Sequence, residues 1–448
     1  MPDEGRTRER PGDGGALDRA LRLFGDVRRG EGATVLLMSA NVFLLLLGYY
    51  ILKTVREPLI LLGGGAALRS YAAAAQTLGL LVWVPLYSGV AARLPRRWTL
   101  AAVFLFFVAC LELFSLGLAM RAPFLGFAFF VWVGVFNLTA IAQFWSYANE
   151  IYSRSEGDRL FPLIAVGATA GAPLGAAIAQ RLFATGVSPQ VMLQVAAAIL
   201  IVHLGLYSVT SARVPRRTAE MARPLVAGNG FALVVRNRYL VLLAALLVVL
   251  SLVKAVGGYL LAHAVLAAAD ARAAAHPGYS REDFIGSFYG GFYLWVDVAT
   301  VAVQALLVSR LARRFGMAGV LLFLPLVAFG GYGLAAAGVV AVGWAKFADN
   351  TSDYSVMNTA KQMVWLPTTP EEKYMAKQAV DGFFVRAGDL VAALLVFLGD
   401  AWLHLSVAGF SRLNVVFSAA SIVAAVLVLR EYARLTRPAG AAAAPVGG

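Results

Sequence analysis

The stretch RYLVLLAALLVVLSLVKAVGGYLLAHAVLAAAD, residues 238–270, carries a single charge between Tyr239 and Ala269, and that charge is Lys254. Fifteen uncharged residues precede it and fifteen follow. Such a run exceeds the about 20 apolar residues that cross a bilayer. A lysine at the centre of a span costs about 2.5–3.5 kcal/mol or more and is too deep to reach the interface, so it must meet a partner or a water-filled path. Two readings follow: Lys254 lines a pathway for an anion, or it forms a buried ion pair, with Asp297 as the candidate partner. Gly257 and Gly258, just beyond, would loosen the helix or admit a close neighbour.

The rest of the chain agrees with a membrane setting. Hydrophobic residues make up 60% and charged residues 14% of the 448, which excludes an ordinary soluble domain. Twelve apolar segments are readable: about 34–62, 71–92, 99–120, 123–149, 160–182, 191–212, 239–268, 285–309, 316–337, 341–363, 376–399 and 408–430. The expected class is an all-α membrane protein of about twelve transmembrane helices. No short apolar leader with a small-residue cleavage site follows the charged start. The only cysteine, Cys110, falls in the third segment, so no disulfide forms within the chain. Four scattered histidines show no metal-ligand spacing.

The net charge of +13 is not a nucleic-acid signal. With twelve spans, the arginine clusters of the N-tail, Arg93–Arg97, Arg154/Arg159, Arg213–Arg238, Arg310–Arg314 and Arg430–Arg437 all fall on one side. That is the positive-inside pattern and places both termini in the cytoplasm. The expected organisation is a cytoplasmic N-tail (1–33), a first six-helix half (34–213), a central loop (214–238), a second half (239–430) and a disordered C-tail (431–448). Leu17, Leu21, Phe24 and Val27 would suit a short amphipathic helix on the membrane surface. The halves echo one another: Leu52-Lys53-Thr54-Val55 in span one matches Val253-Lys254-Ala255-Val256 in span seven, and Arg96-Arg97 matches Arg313-Arg314. Two such halves around a midplane site describe the major-facilitator architecture.

Lysine is scarce, six against 32 arginines, and five of the six lie inside or beside apolar segments. Its compact ammonium suits phosphate or carboxylate. In span one, Tyr49, Lys53 and Glu57 form one helical row with Arg56 beside it, so Glu57 would hold Lys53 until cargo arrives. Alternatively, these cations snorkel at a helix end. In span ten, Lys346, Asp349, Asn350, Asp353, Met357 and Lys361 make a polar stripe that must face protein or water unless the helix is peripheral. In span eleven, Lys377 pairs by spacing with Asp381, and Arg386 with Asp389, as gating or as static ion pairs. At the end of span four, Tyr147, Asn149 and Glu150, among Gln143, Phe144 and Trp145, would stack on and read a base, or form an interfacial aromatic belt. Gly167, Gly171 and Gly175 mark a close helix-packing ridge.

Three motifs in order, YYILKTVREPLIL at 49–61, FWSYANEIYSRSEGDRLFPLIAVGA at 144–168 and DYSVMNTAKQMVWLPTTPEEKYMAKQAVD at 353–381, resemble the ATP/ADP translocases. These are the nucleotide transporters of plastids and intracellular bacteria. The resemblance runs from about Asn41 to Leu398. It implies a multi-pass protein of a bacterial cytoplasmic membrane exchanging ATP for ADP by alternating access, with nucleotide as cargo and no cofactor. It also implies that Arg56 and Lys377 are tied to transport, with Lys53 and Lys361 on basic positions of the pattern. The departure is Lys254, where the best-known members carry an acidic residue; the neighbouring cationic position falls at Gly257-Gly258. Other readings stay open: transport of another organic anion, proton-coupled through Glu150, Asp349 or Asp353, or a non-transporting membrane receptor. No nucleophile–base or metal constellation supports an enzyme, no phosphate-cradling glycine loop is present, and nothing fixes an oligomeric state.

Overall fold

The computed structural model describes residues 16–93, 96–213, 230–369, 372 and 376–436, and every regular element among them is helical. In a bilayer only helices or closed barrels satisfy the backbone internally, so the apolar runs fold this way by necessity. The segment Gly32–Arg93 is wound almost throughout, yet the Arg69 guanidinium lies 2.7 Å from Glu57, twelve residues earlier. A straight helix would separate them by about 18 Å. The chain reverses at Gly64 and Gly65, where φ at Gly65 is +74°, a conformation that favours glycine. This gives α1 (32–63) and α2 (66–93). A second break, at Gly316 (φ +58°), divides 281–336 into α8 (281–315) and α9 (317–336).

The remaining spans are α3 (Arg96–Ala119), α4 (Leu125–Ile151), α5 (Arg154–Ala184), α6 (Pro189–Arg213), α7 (Arg238–Ala275), α10 (342–363), α11 (377–402) and α12 (Val407–Thr436). Among the described residues twelve helical spans thus stand where the sequence places them, in an all-helical, two-half, major-facilitator-like fold. Polar side chains set several helix starts: Ser153 and Glu156 form a capping box at α5, Asn237 accepts the Tyr239 amide at α7, and Ser280 accepts that of Asp283 at α8.

Within the first half, α5 lies flush against α1. A Cβ at Gly175 would sit 2.5 Å from the Leu47 carbonyl oxygen, while Gly171 and Gly167 face the carbonyls of Phe43 and Ser39. In the second half Gly388 of α11 brings that helix against Val248 and Ser251 of α7. The halves meet through α5 with α8 and α2 with α11. Gly290 of α8 lies against the Gln180 backbone of α5, and Tyr71 of α2 packs edge-on to Phe397 of α11 at 6.2 Å. These contacts gather at the end of the molecule where α1 runs into α2, opposite both termini.

Three expectations need correction or delimiting. The C-tail expected to be disordered from 431 is helical to Thr436 as the end of α12, and 437–448 lie outside the described residues. The N-tail helix covers only Ala16–Leu21; Phe24 is exposed and Val27 is buried in the first-half core, so the proposed row does not continue. The central loop expected at 214–238 lies outside the described residues up to 229, and a short helix, Gly230–Arg236, precedes α7.

Candidate functional site

Lys254 lies sixteen residues into α7, yet its side chain is 41% exposed, so water reaches deep into the molecule. Its Nζ lies 2.6 Å from Asp353 Oδ2 on α10. Lys361, two turns further along α10, reaches Asp353 Oδ1 at 3.2 Å. Asp353 therefore bridges two lysines. The partner expected for Lys254, Asp297, is engaged elsewhere, because α10 rather than α8 carries the carboxylate that faces it.

α10 can present this stripe because it is enclosed. Lys346, Asp349, Asn350 and Met357 are all buried, which excludes a peripheral amphipathic helix. A π-helical turn over Asp353–Met357 interrupts its regular winding where the bridging carboxylate stands. Lys346 lies 2.6 Å from Asp349 and donates to the Lys254 carbonyl at 3.0 Å, while Tyr332 of α9 donates to Asp349 at 3.1 Å. Gly257 admits that tyrosine: its hydroxyl occupies the space a Cβ would take. α7 runs unbroken through Gly257-Gly258, so the pair serves close approach rather than loosening.

A polar cavity of about 330 Å³ opens here, bounded by Ser251, Lys254, Asp353, Lys361, Arg386 and Asp389 among others. Arg386 and Asp389 stand 3.8 Å apart across it on α11. Lys377, nearer the terminus-bearing end, donates to Gln362 at 2.8 Å rather than pairing with Asp381, which is exposed. The cations descend in steps: Lys254, then Lys361, then Lys377.

Span one contributes from the other half. Glu57 is fully buried but does not hold Lys53 as its four-residue spacing suggests. It binds Arg56 at 3.1 Å and Arg69 at 2.7 Å, and accepts the Tyr293 hydroxyl of α8 at 2.8 Å. The turn at Gly65 returns Arg69 to it, which no spacing within α1 reveals. Lys53, without a carboxylate within 4 Å among the described residues, lies 4.0 Å and 4.3 Å from the ring centroids of Tyr293 and Tyr50. Cation–π contacts of this kind contribute about 0.5–2 kcal/mol. They leave the ammonium's hydrogen-bonding capacity available to an anion. Tyr50 donates in turn to Asp297 of α8 at 3.2 Å. Arg69, Tyr50 and Tyr293 were not singled out from sequence, although Tyr289, Tyr293 and Asp297 recur every four residues along one face of α8.

The span-four residues do not stand beside the span-one cations. Arg56 lies 4.3 Å from the centroid of Phe130, and Tyr147 is seventeen residues further along the same helix, about 25 Å away. Tyr147 is buried against Tyr207 in the first-half core, Asn149 is exposed, and Glu150 is the penultimate residue of α4. No group of three or more metal-ligating side chains occurs among the described residues.

No family model matches the chain. Among curated proteins it is similar to "ADP,ATP carrier protein 1" of Chlamydia trachomatis, 23% identical over 296 residues, 56% of this chain and 54% of that protein. The chain thus spans about half the length of the curated relative it matches. Among solved structures it is similar to a mutant of the nucleoside transporter NupG, with TM-score 0.66 at 12% identity over 90% of this chain and 100% of that one. It is also similar to a bacterial homologue of the iron transporter ferroportin in an inward-facing state (TM-score 0.59, 16% identity, 90% and 99% coverage). At these identities the structural likeness concerns the fold. The relatives are named as carriers and transporters, and this chain has the fold of a multi-pass membrane protein.

Proposed function

We propose that the chain is an antiporter exchanging ATP for ADP, or a related nucleotide pair, by alternating access. The observation that carries this reading is the placement of Lys53 and Lys254, at matching positions of the two halves, in the interior: Lys254 lines a water-accessible cavity and Lys53 is buried against tyrosine rings. Lys53 rests on tyrosine faces and Lys254 shares one carboxylate with Lys361. Such cations can exchange their internal partners for phosphate oxygens as the halves rock, with lysine acting as a point charge. The similarity to a carrier of ADP and ATP supports the same cargo.

In this reading the packed end, where α5 meets α8, is the outer gate, and the terminus-bearing end opens to the cytoplasm. The arginine distribution supports that orientation. Phosphates enter past Lys377 and Lys361 and reach Lys254 and Lys53 at the centre. The Tyr293–Glu57 and Tyr50–Asp297 hydrogen bonds close the far side.

Coupling through Asp349 or Asp353 fits less well, because lysines at 2.6 Å already neutralise both. The deciding experiment loads proteoliposomes with ADP and presents labelled ATP outside. Uptake must require internal nucleotide; uptake into empty vesicles at the same rate removes the exchange reading.

A further inference from the structure

Asp297 is set apart from the other carboxylates of this interior. Glu57, Asp349, Asp353 and Asp389 each have a cation within 4 Å. Asp297 has none at that distance among the described residues. Its Oδ1 accepts the Tyr50 hydroxyl across the boundary between the halves, and its Oδ2 is buried without a hydrogen-bond partner. A buried carboxylate oxygen with no donor is costly while charged, and a proton removes the cost.

We infer that Asp297 is the proton-carrying group of the transporter, taking up a proton when the more highly charged nucleotide binds and releasing it when that nucleotide leaves. The identity of the cargo rests on the reading above; the proton site rests on the geometry. α1 contributes Tyr49, Tyr50 and Lys53 to its surroundings, with Lys53 in Coulombic range of both Asp297 and Lys254 of α7. Tyr293 lies one turn away on α8 itself, and α10 contributes Tyr354, in Coulombic range of the Tyr50 that donates to Asp297. α5 has no titratable residue between Arg159 and Arg181.

Lys53 is thus the cation that compensates Asp297 at longer range. The additional phosphate of ATP, which ADP lacks, is the group that takes over this ammonium; Asp297 is then left uncompensated and binds a proton. ATP carries one more phosphate and more negative charge than ADP, so a proton that accompanies ATP offsets the imbalance of the exchange. Because Tyr50 and Asp297 belong to different halves, rocking breaks their bond and opens the carboxylate to the opposite side. Proton and anion therefore change sides together.

Two measurements test this. Infrared difference spectra of cargo-free protein, titrated with acid in a bilayer, should show the C=O stretch of a protonated carboxyl. Asp297→Asn should remove that band and Asp297→Glu should shift it; an unchanged spectrum in Asp297→Asn overturns the proposal. Proteoliposomes containing a pH dye should then report about one proton per ATP exchanged for ADP. That ratio should fall to zero in Asp297→Asn. Nucleotide exchange by the wild type without proton movement overturns the coupling and leaves the nucleotide reading standing. Absence of any nucleotide exchange removes the nucleotide reading, while the infrared band still decides whether Asp297 takes a proton.

Discussion

The Lys254 ammonium lies 2.6 Å from the Asp353 carboxylate, whose other oxygen is held by Lys361 at 3.2 Å. The pair joins α7 to α10 where water reaches the interior. A partly solvated pair with a second cation in reserve is weaker than a fully buried one, which makes it suited to opening. Lys254→Gln should reduce nucleotide exchange at least about tenfold while costing only about 1–2 kcal/mol of stability. Uptake assays and thermal unfolding on one preparation check both. Wild-type exchange by a stable Lys254→Gln protein removes the lysine from the pathway.

Glu57 should behave differently. It is fully buried with Arg56 and Arg69 around it, so Glu57→Gln leaves two guanidiniums sharing no carboxylate. The loss should be about 3–5 kcal/mol. It should appear as a lowered unfolding temperature and poor membrane yield, and adding Arg69→Gln should recover part of it.

Tyr293→Phe keeps the ring over Lys53 but deletes the hydroxyl that joins Glu57 across the halves. A hydrogen bond to a charged group contributes about 1.5–3 kcal/mol, enough to shift the balance between open and closed arrangements at least about tenfold. Spin labels at Ala122 and His276, in loops of different halves at the packed end, should report longer distances in the variant.

Gly171→Ala places a methyl against the Phe43 carbonyl and should destabilise the protein by about 1–3 kcal/mol. Gly205→Ala, in α6 with open space around it, should change the unfolding temperature little. Equal effects in both would mean that helix propensity outweighs packing at this ridge.

The spans were legible because hydrocarbon thickness and apolar runs fix helix positions without tertiary knowledge. Span ten was the informative case: its charges exclude it from any simple hydropathy criterion, but their spacing along one stripe still read as a helix facing protein. Lysines 53, 254 and 361 were legible because a charge inside such runs has few places to go. Their partners were not. Lys254 was offered Asp297 and took Asp353, and Glu57 was assigned to Lys53 but took Arg69, because both choices depend on contacts made after the chain reverses or the helices assemble. Tyr147, Asn149 and Glu150 were grouped with the lysines by chemistry alone. Their distance along α4, readable at 1.5 Å per residue once Phe130 is placed beside Arg56, puts them at another level.

The glycine ridge of α5 has a mechanical meaning. With backbone resting on backbone at Gly167, Gly171 and Gly175, α1 and α5 cannot slide past one another without steric overlap, and the first half behaves as a single stiff lever. Lys53 rides on that lever, and so does Gln180 at the α8 contact. All of the movement that transport demands must then be taken up at the seam between levers, where a few tyrosine hydroxyls and glycine faces are the parts that yield.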